Sequence, residues 1–212
     1  MMLISVLILV VSSTGTHQRW QTERGAVHTW YPGPTVPTKV VLYVHGYYET
    51  ADSAFEGHHL AEQFASSGVD ALFVVPEAPA GKGQPVFWPS LEQLLEEVSF
   101  HHATSPPETV LVLGHSGGNR TIKAWLASPM VKQVVLLDGF YGDPTPFEAW
   151  LARRSDATLV LISQSTAGKA TAWVNRLSPL LASRVSQRPA RCSHMQIVTA
   201  GSWIPELVRE SL

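Results

Sequence analysis

The stretch VLVLGHSGGNRTIKAWL, residues 110 to 126, decides the reading of this chain. Val110 to Leu113 is an unbroken run of β-branched and aliphatic residues, the pattern of a strand buried on both faces of a parallel sheet. Gly114-His115-Ser116-Gly117-Gly118 follows at once and matches G-x-S-x-G, and Ile122, Trp125 and Leu126 then recur at helical spacing. A strand, a glycine-flanked serine and a helix in that order describe a nucleophile elbow. The sharp turn requires small neighbours at 114 and 118, because strand and helix pass closely there. It lifts the Ser116 hydroxyl above the sheet and aims the helix N-terminus at the same point.

The bulk properties are those of an ordinary domain. A chain of 212 residues, 45% apolar and 15% charged, suffices for one well-buried domain and is short for two. A net charge of −2 with no block of like charge gives no sign of a nucleic-acid or anionic-membrane partner. The one cysteine, Cys192, cannot form an internal disulfide and leaves the redox compartment open.

Leu3 to Val11 is an apolar run, interrupted only by Ser5, and is followed by small and polar residues. The run is too short to span a bilayer, which needs about 20 apolar residues. It fits the apolar core of a secretory signal peptide over residues 1 to 18, with cleavage among residues 13 to 17 and export to the periplasm or medium. The absence of Lys or Arg before it keeps the alternatives open: a hydrophobic first strand or a mis-assigned start in a cytoplasmic protein. No cysteine beside the run allows a bacterial lipid anchor.

Further along, residues 19 to 38 are polar and then rich in aromatics and proline, with room for at most one edge strand near 25 to 31. Buried-strand runs follow at 39 to 44, 70 to 75, 131 to 137 and 158 to 163, with a last short one at 184 to 187. Helical patterns lie between them at 52 to 67, 90 to 101, 146 to 153, 169 to 182 and 195 to 211, the last interrupted or kinked by Pro205. Strands alternating with helices specify an α/β fold in one domain over residues 19 to 212, a mostly parallel sheet of six or seven strands with helices on both faces.

A serine hydroxyl is a weak nucleophile at neutral pH and needs a base in reach, itself oriented by a third group. Of the nine histidines, His194 sits late, in the loop before the final helix, where the chain order Ser–acid–His requires the base. His58, His59, His101 and His102 lie on helical segments and read as solvated surface residues, and His115 reads as packing. The acid follows by elimination, since no Asp or Glu occurs between Asp156 and Glu206. The loop after the 158 to 163 strand therefore offers only Gln164 and Ser165. Asp138, at the carboxyl tip of the strand after the elbow helix, is the leading candidate, with Asp143 as the alternative acid and a bare Ser–His pair as the remaining option. The oxyanion formed on attack needs two backbone N–H groups, assigned to Gly117 and to Tyr47 after His45-Gly46. Tyr47 and Tyr48 also read as aromatic packing at a strand end.

These residues resemble the α/β-hydrolase superfamily: VLYVHGY at 41 to 47, VLVLGHSGG at 110 to 118, the strand-end Asp138 and the late His194. The resemblance implies a Ser116–Asp138–His194 triad, main-chain donors at Tyr47 and Gly117, and neither metal nor organic cofactor. Two departures stand out. The acid comes one strand early, similar to pancreatic-type lipases, and the first strands of a full eight-strand sheet have little room.

The expected activity is that of a serine hydrolase working through a covalent acyl-enzyme, on a small-molecule carboxylic ester. The alternatives are an amidase or peptidase with the same triad, or an inactive binding protein on the same fold. About 20 residues separate the 131 to 137 and 158 to 163 strands, too few for a large cap, so the site is expected to be open. The 76 to 89 loop with Trp88, and Tyr48, Phe140 and Tyr141, are the candidate walls, Trp88 being equally a structural plug.

Overall fold

The computed structural model describes residues 8–12 and 15–212. Among the described residues nine strands form one sheet: β1 (Ile8–Ser12), β2 (Gly15–Thr22), β3 (Gly25–Tyr31), β4 (Val40–Val44), β5 (Leu72–Pro76), β6 (Val110–His115), β7 (Val131–Leu137), β8 (Thr158–Ser163) and β9 (Val185–Pro189). Their order across the sheet is β1-β2-β3-β5-β4-β6-β7-β8-β9. From β5 to β9 every pairing is parallel, whereas β1, β2, β3 and β5 pair antiparallel.

The parallel half follows from the apolar runs. Along β4, Val40, Leu42 and Val44 point into one core while Val41 and Tyr43 point into the other. β6 divides its residues in the same way, as the two-residue period of a strand demands. Helices cover both layers. On one face lie α3 (Leu91–His102), α4 (Asn119–Trp125), α5 (Thr145–Arg153) and α6 (Ala167–Val174), burying Leu94, Ile122, Trp150 and Trp173. On the other lie α1 (Ala51–Gly57), α2 (Leu60–Ser67), α8 (Gln196–Thr199) and α9 (Trp203–Ser211), burying Phe55, Phe64, Ile197 and Leu207. The short α7 (Pro179–Ala182) precedes β9. None of the helices described is long and apolar enough to cross a membrane.

The sheet is larger than the six or seven strands expected, and the addition lies at its N-terminal edge. β2 reads GTHQRWQT, in which only Gly15 and Trp20 are buried, so no apolar run marks it. A two-residue turn at Glu23-Arg24, ending in Gly25 at φ +103°, folds β2 onto β3. β3 is therefore an interior strand between β2 and β5. Of the segment read as a signal peptide, residues 1–7 and 13–14 lie outside the described residues, while residues 8–12 form β1 and residues 15–18 open β2.

Two helices expected to be continuous are broken, and the C-terminal one, expected to be interrupted at Pro205, breaks earlier. The 52 to 67 pattern is split between α1 and α2, with His59 at φ +52°. The 169 to 182 pattern divides into α6 and α7. The C-terminal pattern divides at residues 200–202, which places Pro205 in the first turn of α9, where its missing N–H costs no hydrogen bond.

The topology places a crevice. β5 and β6 flank β4 on opposite sides. The chain leaving β4 passes to α1 on one face, and the chain leaving β6 passes to α4 on the other. Between parallel strands whose connections diverge, a cleft opens at the carboxyl ends, the usual site for ligands in such sheets.

Candidate active site

Both walls of that crevice carry expected site residues. Ser116 follows β6 with φ +48°, a left-handed conformation that a non-glycine residue adopts only when its surroundings enforce it. The first of those surroundings is Gly118: a Cβ there would lie 2.6 Å from the Val44 carbonyl oxygen and 2.7 Å from that of His45. The second is Asn119, whose Nδ2 donates to the Ser116 carbonyl at 2.9 Å. Asn119 is a support that sequence reasoning missed.

The loop after β4 packs on the elbow. A Cβ at Gly46 would stand 3.0 Å from Ser116 Cβ, and one at Gly117 would meet the Tyr47 ring at 2.4 Å. His45 fixes the loop's orientation. Its Nε2 accepts from Ala78 N–H at 2.9 Å, so Nδ1 carries the proton and donates to the Gly46 carbonyl at 2.9 Å. In a trans peptide the N–H points opposite the C=O, so pinning the Gly46 carbonyl turns the Tyr47 N–H away from His45. The neighbouring N–H groups are engaged, Gly46 with Glu49 Oε2 at 3.3 Å and Tyr48 with the Ala80 carbonyl at 2.8 Å. The Tyr47 N–H has no acceptor among the described residues.

Asp138 ends β7 fully buried, at φ +46°. Its Oδ2 accepts from His194 Nδ1 at 2.7 Å, from Ser165 Oγ at 2.6 Å and from Ser165 N–H at 3.1 Å. Its Oδ1 accepts from Gln164 N–H at 3.0 Å, Thr166 N–H at 2.9 Å and Thr166 Oγ1 at 2.8 Å. Burial pushes the carboxyl pKa up, but the hydrogen bonds from His194, Ser165, Thr166 and Gln164 outweigh it and hold the group well below the usual carboxylate range. The loop after β8, which has no acid of its own, serves as the cradle for an acid supplied by β7. Asp143, the alternative acid, is instead exposed and accepts from Thr145 N–H at 3.0 Å and Thr145 Oγ1 at 2.7 Å. It holds the turn into α5 through Thr145, whereas His194 is engaged by Asp138.

His194 reaches the elbow as well. Its ring lies 4.6 Å, centroid to centroid, from that of His115, the residue before Ser116. Gly139, the residue after Asp138, closes against the elbow backbone: a Cβ there would lie 3.2 Å from the Ser116 carbonyl oxygen. Asp138 and His194 thus meet at the rim of the sheet where the elbow lies, with the His194 ring against His115 and Gly139 against the Ser116 backbone.

The candidate walls divide. Tyr48 is 96% exposed with φ +69°, and Tyr141 is partly exposed with its hydroxyl 2.8 Å from Ser165 Oγ. Trp88 and Phe140 do not line an open surface: both are buried in the core, Phe140 against Phe147 and Trp173, and Trp88 under the Arg24 guanidinium. The 76 to 89 loop is held to the elbow helix by Arg120, whose guanidinium donates to the carbonyls of Gly81, Lys82 and Gln84 at 3.0 to 3.2 Å. A cavity of about 830 Å³ opens at the opposite end of the sheet, between the starts of β4, β6 and β7, away from these groups.

No protein-family model matches the chain, and no curated protein sequence does. Solved structures do resemble it. An S-formylglutathione hydrolase from Agrobacterium tumefaciens superposes with a TM-score of 0.61 at 14% identity, over 96% of this chain and 97% of that one. A ferulic acid esterase gives 0.63 at 14% identity, over 97% and 96%. An alpha-beta serine hydrolase homologue from Coxiella burnetii gives 0.58 at 15% identity, over 98% and 97%. With its parallel sheet, its strand–turn–helix elbow and this overlap, the protein has the α/β-hydrolase fold.

Proposed function

We propose that the protein is a serine hydrolase of small carboxylic esters, with Ser116 as nucleophile, His194 as general base and acid, and Asp138 as the group that orients the histidine. The observation that carries this reading is the 2.7 Å contact between His194 Nδ1 and the buried Asp138 carboxylate. An ionised carboxylate only accepts, so Nδ1 carries the proton and the lone pair of neutral His194 resides on Nε2. Nε2 is then the base that takes the Ser116 proton as Oγ bonds to the substrate carbonyl carbon. The imidazolium that forms is stabilised by Asp138 and returns the proton to the departing alkoxide. Water attacks the acyl-enzyme by the same route and frees Ser116.

The carbonyl oxygen gains charge in both steps. The N–H groups of Gly117 and Tyr47 are its proposed donors, each worth about 3 kcal/mol in the transition state. This assignment rests on the close packing of Tyr47 on Gly117 and on the His45 bond that turns the Gly46–Tyr47 peptide. The named esterases and hydrolases among the structural neighbours favour an ester substrate.

A panel of p-nitrophenyl esters of rising chain length, run beside matched anilides, tests the substrate class. Turnover of esters well above that of anilides is expected. Cleavage of anilides with no preference for esters would assign the site to amides instead.

A further inference from the structure

Behind the elbow lies a second cluster that the proposed hydrolysis does not use. Glu49, from the loop after β4, converges with His58, at the joint of α1 and α2, and with His115, at the end of β6; one ligand atom from each lies within 4.8 Å of the others. His58 and His115 are each 1% exposed, contrary to the surface position that helical spacing suggested for His58. Burial pushes the Glu49 carboxyl pKa up, but His115 and His58 beside it hold it well below the usual carboxylate range, although the contacts are poorly aligned. His58 Nε2 approaches Glu49 Oε1 to 2.6 Å yet makes no aligned hydrogen bond, and His115 Nδ1 stands 3.8 Å from Glu49 Oε2, beyond hydrogen-bond range. Neither ring nitrogen of His115 has a hydrogen-bond partner, although buried imidazole nitrogens seldom lack one.

Lone pairs that crowd together without facing one another fit ligands aimed at a common point. Tetrahedral zinc, with bonds of about 2.0 to 2.1 Å, sets its ligand atoms about 3.3 Å apart. The spacings of 2.6 Å, 3.8 Å and up to 4.8 Å bracket that value. The supporting bonds are also present. Tyr43, fully buried, places its hydroxyl 2.8 Å from His58 Nδ1, which fixes the ring with Nε2 turned towards Glu49. The Gly46 N–H steadies Glu49 Oε2 at 3.3 Å.

We propose that Glu49, His58 and His115 bind one divalent transition-metal ion of the zinc type. Two imidazoles and a carboxylate are the donor set such ions prefer over calcium or magnesium. The ion joins the loop that presents Tyr47 to the strand end that presents Ser116, with the α1–α2 joint as third anchor. It positions the crevice walls and takes no part in acyl transfer. The proposal does not depend on the hydrolase reading, since metal binding is measured without substrate.

Chelator-treated whole chain is titrated with Zn²⁺ by calorimetry and with Co²⁺ by visible absorption, and the thermal midpoint is followed with and without Zn²⁺. One ion per chain, the absorption of four-coordinate Co²⁺ and a rise in the midpoint with Zn²⁺ are expected. Glu49→Gln and His58→Ala should each weaken binding more than tenfold, and Tyr43→Phe about tenfold through loss of the outer bond. Glu49→Gln is close in shape to the native residue, so it remains informative if His58→Ala does not fold. Failure of the folded wild-type chain to bind either ion overturns the proposal. Binding that survives Glu49→Gln but is lost in His194→Ala overturns it too, because the ion then sits on the triad histidine. Fluorophosphonate labelling of Ser116, scored separately, reports on the hydrolase reading alone.

Discussion

His194 Nδ1 lies 2.7 Å from Asp138 Oδ2, and the two residues reach that contact across one intervening strand, Asp138 from the tip of β7 and His194 from the loop beyond the edge strand β9. The strand between them, β8, contributes no acid. Its loop contributes donors instead, and five hydrogen bonds from Gln164, Ser165 and Thr166 hold the carboxylate that β7 supplies.

Asp138→Asn keeps the shape but turns one acceptor oxygen into a donor. His194 then has an N–H facing an N–H unless its tautomer reverses, which places the proton on the nitrogen that must act as base. A fall in kcat of about 10⁴-fold is expected on any ester the wild type cleaves. Steady-state kinetics on a p-nitrophenyl ester check it, and a fall under tenfold would remove Asp138 from the role.

Ser165→Ala removes the 2.6 Å bond to Asp138 Oδ2 and leaves the His194 contact in place. A hydrogen bond to a charged group contributes about 1.5 to 3 kcal/mol. The expected loss in kcat/KM is about tenfold, far smaller than for Asp138→Asn. The two variants measured side by side separate a residue that touches His194 from one that only holds its partner.

Gly118→Ala tests why the elbow is glycine-rich. Its Cβ would meet the carbonyl oxygens of Val44 and His45, both rigid backbone. Overpacking of this kind costs about 1 to 3 kcal/mol. In a chain of this length each kcal/mol lowers the thermal midpoint by about 2 to 4 °C. A melt unchanged from wild type would mean that strand and helix are not in close contact at this point.

Acid weakens the fold through its half-buried histidines. Burial, and then the neighbouring His101, lowers the His102 pKa to about 4; burial, and then His28 and Arg19, lowers that of His17 to about 4. Below the ordinary histidine value near 6.5, the unfolded chain takes up protons that these rings in the folded chain do not. Their contribution to stability is therefore complete above about pH 6.5 and declines as the pH falls towards 4. His102→Gln, which can still bond Thr29 Oγ1, should flatten the dependence. Urea unfolding at pH 7 and pH 5 measures the difference, and equal slopes in mutant and wild type would contradict it.

The parts of the fold legible in the sequence are those where burial is symmetrical. β4, β6, β7 and β8 have their apolar residues in both cores, so each reads as an apolar run. β2 is hidden because five of its eight residues are only half-buried and Trp20 is its sole large anchor. Trp88 and Phe140 read as site walls because an aromatic in a Gly- and Pro-rich loop gives no sign of which way it points, and both turn inward. The pairing of Asp138 with His194 was legible through chain order and elimination. Glu49 and His58 were not: no spacing relates them to residue 115, and only the break between α1 and α2 turns His58 inward.

Labelling with a fluorophosphonate reports most directly on the central claim, that Ser116 is a nucleophile activated by His194. Wild-type protein should be labelled on one residue, Ser116, with Ser116→Ala unreactive and His194→Ala slowed by orders of magnitude. A folded wild-type chain that does not react, or one that reacts equally after either substitution, would contradict it.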